Sequence, residues 1–281
     1  MNLKAELKSY GAKLLEATAP LWLPKNVAVI LMYHNVGDTL NDRNTITRRG
    51  FADQLQCLLR LGFRCLPATS LVEQVRTNSL AFGRVFAITF DDGRSGVISD
   101  ALPVLREFKL ESTLFVVNQF TDGRTRWFSY NKVPPSWISE SESLATKGFS
   151  LEYADREMLL NWLENNQAIG GHSVNHLHLA TLPDDILEAE VYGCAKYLEQ
   201  QYGCKQCGFA FPYGEYNGRV VDHVKKYFTY AVSVEQSTVT AVRNHHGAVF
   251  VFPRIDPGRS VYEMLYRIRR LVSWNRAKST V

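Results

Sequence analysis

Val27-Ala-Val-Ile-Leu-Met-Tyr33 is a run of seven apolar residues without alternation, entered from Pro24 and left through His34. A strand with one face in water alternates apolar with polar residues. A run that does not alternate reads as a strand covered on both faces, as in a parallel sheet flanked by helices. Outward from this stretch, Val85-Phe-Ala-Ile-Thr-Phe90 repeats the pattern, and further strands read at 112–117, up to Gly171, and at 207–212, 228–234 and 248–253. Helical spacing falls between them: Phe51, Leu55, Leu58 and Leu59 share a face, and helices are expected at about 67–77, 99–109, 155–166, 183–201 and 216–227. Repeated βα units imply a parallel sheet, and seven or eight in one domain imply a barrel rather than an open sheet. The expected class is therefore an α/β barrel.

The flanks set the domain plan. Leu3, Leu7, Tyr10 and Leu14 recur at helical spacing, so 2–18 reads as an amphipathic helix ending before Pro20 and Pro24. This gives an N-terminal helix and linker over 1–26, a barrel domain over 27–259, and a basic C-terminal helix and tail over 260–281. Residues 118–154 lack periodicity and hold Trp127, Tyr130 and Trp137. They read either as a binding loop or lid whose aromatic rings stack on sugar, or as a partly helical insertion with its own small core. The last 28 residues carry seven basic and two acidic side chains, with Val261, Leu265, Ile268 and Leu271 on one helical face. Such a helix either lies on an anionic membrane or packs on the barrel with a solvated basic face.

Composition excludes several classes. With 46% hydrophobic, 12% aromatic and 21% charged residues, the 281-residue chain is ordinary for a globular domain. A net charge of +4 without a Lys/Arg run interleaved with aromatics gives no nucleic-acid groove. Five cysteines at irregular spacing do not make a disulfide framework, and Cys204-Lys-Gln-Cys207 lacks the second pair a structural zinc would want, so these read as buried thiols. No signal-peptide pattern and no long apolar run occurs, so a cytoplasmic location is expected, with peripheral membrane contact an option. Oligomeric state is not legible.

Two strand ends carry chemistry. In Thr89-Phe-Asp91-Asp92-Gly93, two carboxylates follow an apolar strand directly, and Gly93 permits the tight turn. Taken alone, such a turn more often just caps a strand. In Gly170-Gly-His172-Ser-Val-Asn-His176, the i, i+4 spacing puts both imidazoles on one helical face, where they could hold a divalent cation. Ser173 stands where a zinc-protease helix would need Glu, so that reading fails. His178 points elsewhere at its spacing and reads as structural or supporting. One carboxylate and two histidines from two strand ends make a three-ligand site with open positions, and the C-terminal strand ends are where barrel enzymes place their chemistry.

On these residues the chain resembles the polysaccharide deacetylase family, also called carbohydrate esterase family 4. Thr89-Phe-Asp91-Asp92-Gly93 is similar to that family's first motif, His172-Ser-Val-Asn-His176-x-x-Leu179 to its second, and Phe211-Pro-Tyr213-Gly214 to its third. The resemblance runs from about 27 to 256 and implies an irregular, seven-stranded (β/α) barrel. It implies Asp91 as general base, Asp92, His172 and His176 as metal ligands, and the backbone N–H of Tyr213 as oxyanion donor. Tyr213 could otherwise be a core aromatic. The cofactor implied is a divalent metal, with Zn²⁺ first and Co²⁺, Ni²⁺ or Mn²⁺ as alternatives. The family's usual C-terminal acid histidine has no counterpart after 246. Tyr33-His34 resembles instead the subgroup with circularly permuted motifs, which includes biofilm poly-N-acetylglucosamine deacetylases, and this makes His34 the candidate acid against the reading of a packed strand-end histidine.

Three departures stand out. Ala210 occupies the place of the arginine that orients the base, and the family's aspartate–tryptophan motif has no clear counterpart. Arg254, in Phe252-Pro-Arg-Ile-Asp256, either replaces that arginine from another strand end or pairs with Asp256. Leu177 replaces a common proline. The function expected is metal-dependent hydrolysis of the N-acetyl group of an N-acetylhexosamine glycan or lipid-linked saccharide. Two other readings stay open: a carbohydrate-binding protein that is catalytically weak for want of the arginine, and a metal-dependent amide or ester hydrolase with a non-sugar substrate.

Overall fold

The computed structural model describes residues 3–38, 43–77, 83–122, 153–239 and 249–278. Most of the 118–154 segment, with Trp127, Tyr130 and Trp137, lies outside the described residues. Among the described residues ten strands occur in chain order: β1 (Val27–Tyr33), β2 (Asn35–Val36), β3 (Thr45–Ile46), β4 (Phe63–Cys65), β5 (Arg84–Phe90), β6 (Ser112–Val116), β7 (Ala168–Gly171), β8 (Gly208–Ala210), β9 (Tyr230–Gln236) and β10 (Val251–Arg254). Seven of them pair in the order β1-β5-β6-β7-β8-β9-β10, every ladder parallel. Closure comes from a parallel bridge between Leu31 and Ile255, with Met32 N–H donating to Ile255 O at 2.9 Å and Ile255 N–H to Ile30 O at 2.8 Å. The sheet is thus a seven-stranded (β/α) barrel. β4 pairs with the first half of β5, and β2 pairs with β3 outside the barrel. These two- and three-residue strands are too short to leave a periodicity in the sequence.

All seven residues of β1 are buried, as the unbroken apolar run requires. Successive side chains on a strand point to opposite faces, and alternate residues enter two separate cores. Val29, Leu31, Phe86, Ile88, Leu114 and Phe209 face the surrounding helices. Ala28, Ile30, Val85, Ala87, Phe115, Tyr230, Val232 and Phe252 fill the barrel, where the helix Ala68–Arg76 packs against them through Leu71, Val72 and Val75. Small residues make room for the inner aromatics: a Cβ on Gly208 would lie 2.2 Å from the Tyr230 ring, and one on Gly170 2.5 Å from Phe115. Burial of each such Phe, Leu, Ile or Val contributes roughly 1.5–3 kcal/mol.

Helices follow the expected stretches within a few residues, including Arg48–Arg60, whose first turn is capped by the Thr47 hydroxyl accepting from Gly50 N–H. The expected helix at 99–109 begins instead as a π-turn over Val97–Ala101 before the α-helix Leu102–Phe108. The C-terminal helix Val261–Lys278 turns Leu265, Ile268 and Leu271 into the outer core, so the apolar face noted in the sequence is covered by the barrel. No helix among the described residues is long and apolar enough to cross a membrane.

Candidate active site and metal centre

Register places the first pair of groups. β5 ends with Phe90 opposite Tyr33 of β1, and Asp91 N–H donates to Tyr33 O at 2.9 Å, so His34 and Asp91 leave the rim side by side. The chain then turns back through two left-handed residues, Asp92 (φ 72°) and Gly93 (φ 76°). Such φ values disfavour most L-residues. At Gly93 a Cβ would also press on Thr121 Cγ2 at 3.1 Å. The turn sends Asp91 and Asp92 to different partners.

Asp91 faces the barrel interior and is 2% exposed. The Arg254 guanidinium grips it with two parallel bonds, Nη1 to Oδ1 at 2.7 Å and Nη2 to Oδ2 at 2.6 Å. Arg254 has no exposed surface and also donates to Ser233 O at 3.0 Å and Thr89 Oγ1 at 3.1 Å. Asp256, the other partner weighed for it, pairs with Arg267 at 2.6 Å. Pro253 has no N–H for the ladder, and the β9–β10 register shifts between Phe252 and Arg254, which redirects the arginine inward. Burial opposes ionisation of Asp91, but the Arg254 charge and its hydrogen bonds outweigh it and hold the carboxyl below the ordinary carboxylate range.

The histidine segment differs from its sequence reading. His172 and His176 do not share a helical face; the chain from 172 to 178 is a loop in which Ser173 (φ 66°) and His176 (φ 57°) are left-handed. The loop is tied from within and from below. Ser173 Oγ accepts from His176 N–H at 2.9 Å. Glu190 of the helix Asp184–Tyr202, 2% exposed, accepts from Val174 N–H at 3.1 Å, from Asn175 N–H at 2.9 Å and from the Asn175 side-chain amide. Glu190 was not singled out in the sequence, yet it left a trace: a carboxylate inside the apolar stripe Leu187, Val191, Cys194 and Leu198. Supporting residues around metal ligands typically change affinity by about 10–100-fold when removed. Glu190→Ala is accordingly expected to weaken metal binding by roughly that factor while leaving every ligand atom in the protein, measured by chelator competition; an unchanged affinity would show that the loop holds itself.

The three candidate ligands converge. Asp92 Oδ1 lies 3.5 Å from His172 Nε2 and 3.6 Å from His176 Nε2, and all three donor atoms fall within 4.8 Å of one another. Donors held about 2.0–2.1 Å from a tetrahedral cation sit about 3.3–3.4 Å apart, so the triad is spaced for one ion. Among the described residues no other group of three His, Cys, Asp or Glu lies so close. The His172 Nδ1 is 2.8 Å from Ala210 O, which fixes that nitrogen as the N–H and aims the Nε2 lone pair at the centre. Burial and the neighbouring His172 push the pKa of His176 down to about 3, so it is a neutral imidazole at ordinary pH. Burial lowers the pKa of His172 as well, but the adjacent Asp92 carboxylate overrides this and raises it, so a cation bound there would compete with a proton for that nitrogen. Asp92 is held low despite burial by His172, His34 and His176.

Tyr213 closes the far side in a strained turn (φ 58°, ψ 2°). Its ring meets His176 edge-on at 4.6 Å and stacks on His178 at 3.9 Å, while His178 Nδ1 contacts Glu215 at 2.9 Å. His178 therefore supports the tyrosine and is not part of the Asp92, His172 and His176 triad. His34 lies near enough to act electrostatically on Asp91, Asp92 and His176. It also lines a cavity of about 400 Å³ at the rim, with Tyr33, Thr45, Asp256 and Arg259.

The polysaccharide deacetylase family model matches residues 82–232, more than half the chain, and spans both motif turns and Tyr213. The chain belongs to the polysaccharide deacetylase family. Metal dependence is general in this family, and its members are hydrolases. YxkH of Bacillus subtilis is 21% identical over 260 residues, covering 92% of this chain and 82% of that one. The poly-β-1,6-N-acetyl-D-glucosamine N-deacetylase of Staphylococcus epidermidis is 22% identical over 277 residues, covering 92% and 88%. Among solved structures, the Streptococcus pyogenes deacetylase PplD in complex with acetate shares the fold, with a TM-score of 0.67 at 19% identity over 87% of this chain and 99% of that one.

Proposed function

We propose that the chain is a metal-dependent N-deacetylase that hydrolyses the N-acetyl group of an N-acetylhexosamine glycan or glycan precursor and releases acetate. The observation that carries this reading is one rim holding a buried, arginine-clamped carboxylate directly beside an Asp/His/His triad spaced for a single cation. Homology supports the substrate class through the N-acetyl-D-glucosamine polymer named for the staphylococcal relative. The catalytic unit is the barrel over 27–259, flanked by the segments 1–26 and 260–281.

Asp92, His172 and His176 would hold the cation, and one carboxylate with two imidazoles suits Zn²⁺ first, with Co²⁺, Ni²⁺ or Mn²⁺ as alternatives. Such a cation supplies Lewis-acid activation of water and of the acetyl carbonyl. Asp91 takes the proton from the attacking water, and Arg254 keeps it ionised and aimed. The backbone N–H of Tyr213 donates to the oxyanion of the tetrahedral intermediate. His34, beside Asp91 on the rim, protonates the departing amine.

Acetate release from N-acetylglucosamine oligomers by metal-reconstituted protein tests the reading, with Asp91→Asn as control. Release that vanishes in the control is expected; none from metal-replete protein would overturn the assignment. His34→Ala is expected to keep its metal and lose kcat by roughly 10²–10⁴-fold, the usual range for a general acid. An unchanged kcat would remove His34 from that role.

A further inference from the structure

Eight large apolar side chains are exposed among the described residues, and six belong to the terminal segments: Leu7, Tyr10, Leu14, Leu21, Tyr266 and Trp274. The first four are 62–82% exposed: Leu7, Tyr10 and Leu14 fall at the i, i+3, i+7 positions of one stripe along Leu3–Ala17, and Leu21 follows in the short helix Ala19–Trp22 beyond the break at Thr18. This is not the buried face of that helix. Leu15 and Trp22 face the barrel, and Gly11 lies under the Tyr262 ring, where a Cβ would come within 2.7 Å. The N-terminal helix thus runs beside Val261–Lys278, joined also by Lys8 Nζ to Glu263 Oε1 at 2.6 Å. On that second helix the outward face carries Tyr266, Arg269, Arg270 and Trp274, with Tyr262 stacked on Tyr266. Its sequence holds five basic residues, Arg267, Arg269, Arg270, Arg276 and Lys278, against one acidic, Glu263.

We infer that the paired terminal helices dock the protein flat on an anionic phospholipid surface, with Leu7, Tyr10, Leu14 and Leu21 entering the headgroup–acyl boundary and Arg269 and Arg270 meeting the lipid phosphates. Aliphatic residues in a stripe along a helix, beside a basic helix edged with Tyr and Trp, match what an interfacial helix needs. Charge decides between occupants. A second copy would set the same arginine-rich helix against itself, whereas an anionic leaflet attracts each arginine near its surface. The inference does not rest on the deacetylase reading, because none of these residues belongs to the site.

The test is flotation of the full chain with vesicles of equal parts phosphatidylglycerol and phosphatidylcholine, against pure phosphatidylcholine. The protein is expected to float with the anionic vesicles only and to be released by high salt. Arg269→Ala with Arg270→Ala is expected to weaken binding roughly 30-fold, and Leu7→Ser with Leu14→Ser at least roughly tenfold. These are exposed positions, so the variants should fold normally by circular dichroism, and turnover of a soluble oligosaccharide should be unchanged. Absence of flotation, or equal flotation of parent and variants, overturns the inference. So does a dimer in solution that Leu14→Ser disperses without any vesicle binding, which would make a second copy the occupant.

Discussion

Asp92→Ala and His172→Ala are expected to lose bound metal and turnover together, whereas Asp91→Asn keeps its metal and loses turnover by roughly 10²–10⁴-fold. The separation follows from geometry. Asp92 Oδ1 points at both imidazoles, while both oxygens of its neighbour are taken up by Arg254. Removing a ligand leaves two donors, too few for a catalytic site that needs three protein ligands and an open position. Asn at 91 keeps the shape and loses the ability to accept a proton; it also turns one of the two Arg254 bonds into a donor–donor contact, so folding is checked on the same preparations by circular dichroism. Metal content by mass spectrometry and acetate release, measured on the same preparations, give the answer. Normal metal in His172→Ala would remove it from the ligand set, and metal loss in Asp91→Asn would place that carboxylate in the centre instead.

Arg254→Met is expected to be the most destabilising single change near the site. The guanidinium has no exposed surface, and its loss strands the buried Asp91 carboxylate, a situation that costs about 3–5 kcal/mol. For a chain of this size that corresponds to a fall in Tm of roughly 5–9 °C. Arg254→Lys should recover part of the stability but not the two-pronged grip, because an ammonium is a point charge without the planar fork. Adding Asp91→Asn to Arg254→Met should recover part of the loss, since no buried charge then lacks a partner; strictly additive effects in that cycle would show that the pair is not coupled.

The pH dependence has a definite sign. A depressed carboxyl pKa adds stability that is present above the unfolded-state value and is lost as pH falls through the folded one. Without Arg254, burial dominates and the Asp91 pKa rises, so the acid limb of kcat/KM in any folded Arg254 variant should move to higher pH. An acid limb at the same pH as the parent would show that a different group limits the rate.

The alternation of apolar runs and helical spacings already specified a parallel barrel, because burial on two faces and burial on one face leave different periods in a sequence. The strand ends were legible for the same reason: Asp91, Asp92 and His172 stand where an apolar run stops. Their residue types narrowed the chemistry to a carboxylate and imidazole metal site. Local pattern misled at His172 and His176, whose spacing fits a helix but whose imidazoles converge through a loop held by Glu190 from another element. No local signal distinguished Asp91 from Asp256 as the partner of Arg254, since that choice depends on how the β9–β10 irregularity turns the side chain. The fate of the C-terminal apolar face was equally undecided in the sequence, because a helix with one apolar stripe suits a barrel and a membrane alike. The sequence by itself determined the long strands and helices and the types of group at the rim, since these depend on short-range period and residue chemistry. Tertiary structure alone decided which groups pair and which faces remain exposed, because those depend on contacts between segments as far apart as 91 and 254.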